Sequence, residues 1–325
     1  MKASKALLVS AIGVLAVAVQ AATAQQFPTK PVRVVTPFPG ASGPEIVMRL
    51  AGDKVAKMWG QPLVVENRPG GNGAIAIDAV KNSPADGYTL TLMDDAHMSV
   101  QPHLYKKLAY SPAKDFEPVA SLFRTYFFAV VQADSPWKNM SDLIATAKAK
   151  SGGVTHGSWF IGSPGHLGMA LFEGATGTQM THIPYKEISQ LYSAVGSNEV
   201  AWAFGTAAST GPMYRAGKVK YLAIAGPQRI GIFPNIPTMV EAGGPANFAV
   251  TGWVGVFAPR GTPRAAVMRM NTDFAKAMNE PDVRERLAAF TFEPFSWTPE
   301  EMAKQMEIDL KRYGEIIARA KISID

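Results

Sequence analysis

The sequence contains no cysteine among its 325 residues. The chain therefore has no disulfide to brace a small core, and no thiolate to act as a nucleophile or a metal ligand. Stability has to come from burial, and the 47% hydrophobic fraction is large enough to supply it. This absence excludes disulfide-stapled domains and thiol enzymes.

Other chemistry-bearing patterns are also missing. No phosphate-binding loop motif occurs, and the Gly-rich residues 70–73 are too generic for a dinucleotide site. The five histidines lack metal-ligand spacing, and neither Ser158 nor Ser163 lies in a Gly-x-Ser-x-Gly elbow. Lysine and arginine do not cluster among aromatic residues. We therefore expect no enzyme activity, no cofactor, no metal and no nucleic-acid partner.

Long apolar runs are absent except at the N-terminus. Lys2 and Lys5 precede the apolar residues 6–19, and residues 22–24 form a small-x-small cleavage site. This order is typical of a secretory signal peptide, so we predict that residues 1–24 are removed on export. Removing the two lysines lowers the formal charge from +6 to +4, a mild positive charge that identifies no partner by itself.

Beyond the signal peptide, β-branched runs alternate with segments of helical periodicity. Residues 32–35 and 88–93 predict strands, for example, and residues 46–58 predict a helix between them. Such alternation predicts an α/β fold with a parallel-rich sheet. The C-terminal third is predicted to be mainly helical. Candidate helix caps are Ser141, Thr262 and Thr298, the last in a Thr-x-x-Glu capping box.

About 300 mature residues exceed what one hydrophobic core usually serves, so two domains are expected. No low-complexity linker separates them, and the long β-favouring residues 124–131 and 248–256 are the candidates for two crossing hinge strands. The predicted domains are residues 25–124 with 249–325, and residues 125–248.

Three predicted helix starts combine a hydroxyl residue with nearby Gly and Pro, at Ser42, Ser163 and Ser209. A helix N-terminus carries unpaired N–H groups and partial positive charge, so it can bind a carboxylate. In an open α/β sheet such loops line the ligand crevice. Taken singly, each start favours ordinary helix capping, and the occurrence of three such starts after strand-like runs supports a ligand site. Trp159 and Phe160, in a segment of neither helix nor strand character, are candidates for a ligand wall.

Several segments resemble one known family, in the same order along the chain: residues 27–33 (FPTKPVR), 37–40 (PFPG), 61–70 (QPLVVENRPG), 86–90 (DGYTL), 114–119 (KDFEPV), 182–186 (HIPYK) and 259–263 (PRGTP). With them, the chain resembles the substrate receptors of tripartite tricarboxylate transporters, often called Bug receptors. The Glu-Asn-Arg-Pro-Gly stretch in residues 66–70 is the most specific match.

The resemblance implies a two-lobed periplasmic binding protein of type 2, a Venus flytrap with two crossing strands. It also implies a monomer that grips a small carboxylate in the cleft and delivers it to membrane permease subunits. The ligand-binding residues that it and the helix starts imply are Phe38, Gly40, Ala41, Ser42, Gly43, Glu45, His97, Ser158, Trp159, Phe160, Gly162, Ser163, His166, Tyr185, Gly205, Thr206, Ala207 and Ser209.

Some positions depart from the family pattern. Gly205 stands where an Asp is common, which removes a carboxylate and is expected to enlarge the pocket. Glu45 could meet a ligand amine or stabilise a helix N-terminus. Because Trp159 and Phe160 replace smaller residues, we hypothesise an aromatic mono- or dicarboxylate ligand. Two other functions stay open: presentation of the ligand to a sensor kinase, and a secreted serine hydrolase using Ser158 with His156 or His166.

Overall fold

The computed structural model of the protein describes residues 27–40, 42–159, 161–246 and 248–322. The predicted signal peptide, residues 1–24, lies outside the described residues, as do the predicted ligand residues Ala41 and Phe160. Within the described part of the chain, no helix is both long enough and apolar enough to cross a bilayer.

One mixed sheet of six strands is built from the N-terminal and C-terminal parts of the described chain. The first three strands are mutually parallel, and the later strands are antiparallel to their neighbours. With strands numbered along the chain, its members in spatial order are β11 (Phe292–Pro294), β4 (Phe116–Tyr126), β10 (Thr251–Pro259), β3 (Thr89–Asp94), β1 (Val32–Thr36) and β2 (Leu63–Asn67).

A second sheet of five strands is built from the middle of the chain. Its three strands β6, β7 and β8 are parallel, and β5 runs antiparallel to both of its neighbours. The spatial order is β7 (Thr181–Pro184), β6 (Thr155–Ser158), β8 (Trp202–Gly205), β5 (Phe128–Gln132) and β9 (Val219–Ile224).

Helices cover both sheets, and separate apolar cores lie under them. We call the six-stranded sheet with its helices lobe 1, and the five-stranded sheet with its helices lobe 2. The α/β class and the two-lobed architecture predicted from the sequence are confirmed. The helices are α1 (Gly43–Trp59), α2 (Ala74–Lys81), α3 (Gln101–Leu104), α4 (Pro112–Asp115), α5 (Met140–Ala149), α6 (Pro164–Thr176), α7 (Ile188–Gly196), α8 (Ala207–Arg215), α9 (Arg264–Met278), α10 (Pro281–Ala289) and α11 (Pro299–Ala320).

Two extended segments connect the lobes, as the sequence predicted. Strand β4 of lobe 1 continues through the single residue Phe127 into β5 of lobe 2, and the chain returns through Val250 into β10. Backbone hydrogen bonds fasten the crossing: Phe127 N–H donates to Val250 O at 3.2 Å, and Ala225 N–H donates to Phe127 O at 2.7 Å. The predicted domain boundaries at residues 124/125 and 248/249 stay a prediction.

The capping predictions have mixed outcomes. The capping box of Thr298 and Glu301 at the start of α11 is present. The prediction for Ser141 is wrong, because the N-cap of α5 is Asn139, two residues earlier, whose side chain accepts from Asp142 N–H. The prediction for Thr262 is also wrong, because its hydroxyl donates back to Pro259 O at 2.8 Å instead of capping α9.

Buried hydrogen bonds connect helix α11 to Asp95, which follows β3, and to Trp253 on β10. Tyr313 OH donates to Asp95 Oδ2 at 3.0 Å, and the Trp253 indole donates to Asp309 Oδ2 at 2.9 Å. Burial, and then the charges of Asp94 and Asp309, raise the pKa of Asp95 well above its ordinary value of 3.8. A carboxyl group in this position tends to stay protonated in the folded chain.

We expect Asp95→Asn to remove a pH-dependent loss of stability. Above pH 3.8 the unfolded chain releases the Asp95 proton while the folded chain retains it, so stability falls as pH rises toward the folded-state pKa. Asparagine keeps an acceptor for Tyr313 but cannot ionise. Urea unfolding at pH 4 to 7 should show the variant gaining stability over the parent as pH rises. The exposed Asp53→Asn is the control, and parallel profiles for parent and Asp95→Asn would contradict this role.

Candidate functional site

The carboxyl ends of the parallel strands in lobe 1 form one edge of its sheet. Strand β1 ends at Thr36, beside Asn67 at the end of β2, and β3 ends nearby at Asp94. The loops that leave this edge lead into α1, into the short 3₁₀ turn Gly71–Gly73 before α2, and into the π-helical turn Ala96–Val100. Loops in this position line the ligand crevice in open α/β sheets.

Lobe 2 repeats the arrangement. Strand β6 ends at Ser158, beside Pro184 at the end of β7, and β8 ends at Gly205. A helix begins shortly after each of these ends, at Pro164, Ile188 and Ala207. Three helix N-termini, with their unpaired N–H groups and partial positive charge, therefore lie along the carboxyl edge of this sheet.

The crossing strands join these two edges directly. Tyr126, the last residue of β4, pairs with Thr251, the first of β10, at the edge of lobe 1 where β3 ends. Phe128, the first residue of β5, pairs with Gly205 at the carboxyl end of β8. The loops of the two lobes also touch, because Leu104 packs against Gly162. A cleft between the carboxyl edges follows from this topology.

Ser42 lies at the N-cap of α1 with extended backbone, φ −72° and ψ 155°, as predicted. Its Oγ atom is buried and makes no hydrogen bond to any residue that the structure describes. A buried hydroxyl without a partner costs about 1–3 kcal/mol, so such a group usually serves something beyond stability. Pro44, at the second helical position, removes one amide donor from this helix start.

Glu45 is 4% exposed and is paired with Arg49 one turn later. The guanidinium of Arg49 also donates to Asn67 Oδ1 at 2.9 Å, and Asn67 Nδ2 donates to Phe38 O at 2.9 Å. Sequence reasoning had left open whether Glu45 meets a ligand amine or supports the helix. These contacts favour the structural role, because they use the carboxylate to anchor the loop before α1.

His97 is held from three sides. Its Nδ1 lies 2.5 Å from Asp94 Oδ1, and its ring stands edge-on to Phe38 with the centroids 5.9 Å apart. Tyr110 OH donates to His97 O at 2.6 Å. Gly73 has φ +93°, and a Cβ there would lie 2.5 Å from His97 Nε2. His97 thus packs the three loops of lobe 1 together, and Asp94 and Tyr110 are partners that sequence reasoning missed.

In lobe 2, the hydroxyl groups at the helix starts are already hydrogen-bonded. Ser163 caps α6, because its Oγ accepts from His166 N–H at 3.3 Å. The predicted helix start at Ser209 is wrong. Thr206 is the N-cap of α8 and forms a reciprocal capping box with Ser209, which is the third helical residue. Pro212 lies inside that helix rather than near its first position.

A histidine cluster lies beneath the loop after β6. Ser158 Oγ is 2.7 Å from His182 Nε2, and the ring of His182 stacks on His166 with centroids 3.9 Å apart. The buried His156 packs edge-on to Trp202, and its ring nitrogens find no hydrogen-bond partner within the described ranges. Sequence reasoning missed His182, whose 24-residue separation from Ser158 gives no local signal.

The remaining predicted residues lie around the same loops. Trp159 is half-buried and stacks on Phe127 with centroids 5.7 Å apart. Tyr185 donates its N–H to Ser158 O at 2.8 Å. The expectation that Gly205 enlarges the pocket is wrong, because a Cβ there would lie 2.6 Å from the Tyr192 hydroxyl oxygen and the space is filled. Gly40 is exposed, Gly43 packs on Phe292, and Ala207 begins α8.

Comparison with known proteins identifies the family. The model of the tripartite tricarboxylate transporter family receptor matches residues 47–322. A UPF0065 protein of Cupriavidus necator is 34% identical over 319 residues, which are 98% of this chain and 95% of that protein.

Solved structures show the same architecture. An R. palustris protein solved with adipate is 29% identical, with a TM-score of 0.80 over 92% of this chain and 100% of that chain. MatC from Rhodopseudomonas palustris, with bound malate, is 28% identical, with a TM-score of 0.73 over 90% of this chain and 100% of that chain.

The histidine cluster predicts a loss of stability in acid. Burial, and then the charge of His182, lower the pKa of His166 to about 4, and burial also lowers the pKa values of His182 and His156. As pH falls from 6.5 toward 4, the unfolded chain binds protons at these positions before the folded chain does. The free energy of unfolding therefore decreases across that window.

We expect His166→Asn to weaken this pH dependence by roughly 2 kcal/mol between pH 7 and 4.5. The asparagine oxygen can still accept from Gly162 N–H, which donates to His166 Nδ1 in the parent. Urea unfolding at several pH values measures the change, with the exposed His103→Asn as the control. If His166→Asn loses as much stability in acid as the parent, the lowered pKa of His166 is wrong.

Proposed function

The chain is a solute-binding receptor of the tripartite tricarboxylate transporter family, and from that premise we propose that it captures a small carboxylate between its lobes. The ligand-bound receptor then docks on the membrane permease subunits and delivers the solute to them. We further propose a periplasmic, monomeric protein whose domains are residues 25–124 with 249–325, and 125–248. The family assignment and the predicted signal peptide support this location.

One observation carries the proposal: the crossing strands join the carboxyl edges of both sheets, where the helix N-termini of α1, α6 and α8 begin. Backbone amides at such positions bind negative charge without needing a cationic side chain. We propose that the ligand oxygens meet amides and hydroxyls from residues 38–45 of lobe 1, and from residues 158–166 and 205–209 of lobe 2.

Amide-rich loops on two facing edges suit a ligand with a carboxylate at each end. Adipate and malate, found in two related structures, are both dicarboxylates. We therefore propose a small dicarboxylate as the ligand. The aromatic hypothesis stays a prediction, and Trp159 supports it less than expected because one face of its ring already stacks on Phe127.

Ligand capture works through closure and needs no covalent chemistry. A ligand that touches both lobes makes contacts in the closed state that the open state cannot offer, and only such differential contacts shift the equilibrium toward closure. Micromolar affinity corresponds to about −8 kcal/mol. A few charge-assisted hydrogen bonds together with burial of the ligand stem are sufficient for that.

One observation favours the hydrolase alternative: Ser158 Oγ lies 2.7 Å from His182 Nε2. The Ser158 side chain is fully buried, however, and it does not lie in the Gly-x-Ser-x-Gly turn that exposes a hydrolase nucleophile. Burial also lowers the pKa of His182, which weakens it as a base. We propose that the protein is not an enzyme, and incubation with esters and a serine-reactive probe should give neither turnover nor labelling.

A ligand panel tests the binding function. Aliphatic dicarboxylates of three to six carbons, their monoamides, and aromatic mono- and dicarboxylates are compared by thermal shift and calorimetry. We expect at least one dicarboxylate to raise Tm with micromolar affinity, and its monoamide to bind at least tenfold more weakly, because a charged oxygen accepts stronger hydrogen bonds. Equal binding of acid and amide would contradict carboxylate recognition.

Substitution of Ser42 tests its role in ligand binding separately from its role in stability. We expect Ser42→Ala to weaken binding of the best acid by about 1.5–3 kcal/mol, the usual contribution of a hydrogen bond to a charged group. The ligand-free protein should keep or slightly gain stability, because the hydroxyl has no partner in the described structure. The matched variant Ser163→Ala should instead lose about 1 kcal/mol of unfolding free energy, because it removes a cap. Unchanged affinity in Ser42→Ala would remove this residue from the site.

A further inference from the structure

Leu104 ends α3 in lobe 1, yet part of its surroundings belongs to lobe 2. It is 4% exposed and packs in an apolar cluster with Leu167, which lies on α6 of lobe 2 and is 1% exposed. The other buried members come from lobe 1, and the partly buried Ala170 and Leu171 of α6 pack against them. The buried members are Val100, Leu104, Leu167, Tyr313, Ile316 and Ile317. A continuous apolar contact therefore crosses from one lobe to the other at the side of the cleft.

Leu104 also presses on the backbone of the loop after β6. Its Cδ1 atom occupies the place that a Cβ on Gly162 would take, and its Cγ is 3.4 Å from that place. Gly162 has φ +83°, a conformation that residues with a side chain rarely adopt. The close approach thus depends on glycine at 162, and it brings a lobe 1 side chain against a lobe 2 main chain.

Gly162 connects this contact to the start of α6. Its N–H donates to His166 Nδ1 at 3.0 Å, and the His166 N–H donates to Ser163 Oγ at 3.3 Å. The His166 ring is backed on its other side by the stacked ring of His182. The segment from Gly162 to His166, which begins α6, is therefore fixed between Leu104 of one lobe and His182 of the other.

We propose that Leu104 is a positioning residue for the ligand loop of the opposite lobe. It holds residues 162–166 in the conformation that presents the α6 amides to the cleft, without touching the ligand. The inference rests on the proposed binding function. Its physical basis is preorganisation: a loop already ordered by Leu104 loses less conformational freedom when the ligand binds.

Hydrogen exchange of the ligand-free protein tests this directly. In Leu104→Ala, amides in residues 158–166 should exchange about tenfold faster than in the parent, since the local opening free energy falls. The matched control is Leu108→Ala, an identical truncation four residues away in a cluster made only of lobe 1 residues. Leu104→Met, which refills the space, should restore slow exchange. Unchanged exchange in Leu104→Ala, or an equal increase in Leu108→Ala, would overturn the proposal.

Affinity gives the second measurement. Leu104→Ala should bind the best dicarboxylate of the panel about tenfold more weakly, mainly through faster dissociation, while Leu104→Met and Leu108→Ala bind like the parent. Parental affinity in Leu104→Ala would overturn the positioning role. If the parent binds no acid in the panel, the proposed function fails by itself. The exchange experiment still decides whether Leu104 orders the loop, so the two failures are distinguishable.

Discussion

Three backbone hydrogen bonds at the crossing determine the arrangement of the whole molecule. Phe127 donates to Val250 and accepts from Ala225, and Val250 donates to Ala225, all within 3.2 Å. They fasten the outgoing and returning strands at the single point where the chain leaves one sheet and enters the other. Because both strands cross at the carboxyl edges of the parallel strands, the loops after those strands necessarily meet. The cleft is a consequence of strand topology before any side chain is considered.

Within the cleft, the two lobes treat their helix starts differently. In lobe 2, the hydroxyl groups of Ser163 and Thr206 cap their helices, so their hydrogen bonds are made within the protein. In lobe 1, Ser42 occupies the same capping position, but its hydroxyl caps nothing in the described structure. In the binding mode proposed above, lobe 2 therefore offers backbone amides, and lobe 1 also offers the Ser42 hydroxyl. A ligand that bonds to both lobes would couple its binding to closure.

The sequence predicted those features that depend on local pattern. The alternation of strands and helices, the two crossings, and the caps at Ser42, Ser163 and Thr298 follow from residues within a few positions of each other. The start of α8 was misjudged because Ser209 resembles a cap by itself, and its reciprocal bonding with Thr206 appears only in three dimensions.

Contacts between distant segments could not be predicted, because no local sequence pattern indicates them. Nothing in the sequence brings His182 beneath Ser158, or Leu104 against Gly162, because both contacts depend on how the sheet orders its strands and how the lobes meet. The environment of Gly205 could not be predicted from the sequence either. Its missing side chain indicated open space, whereas Tyr192 and Thr210 from neighbouring helices fill it. Packing, not the identity of one residue, decides the shape of the pocket.

Buried acids lie behind the proposed carboxylate site, so their charge bears on the proposal. Strand β3 ends at Asp94, Asp95 follows it, and the charge of Asp309 on α11 acts on Asp95. Burial by itself would raise the pKa of Asp94, but the charge and hydrogen bonds of His97 lower it, so this carboxylate carries a matched partner. Asp309 is bonded to Arg312 and to the Trp253 indole. The raised pKa of Asp95 favours its protonated form. Asp94 and Asp309 have bonding partners and Asp95 favours the uncharged state, so we expect these acids to oppose the proposed carboxylate less than free carboxylates would.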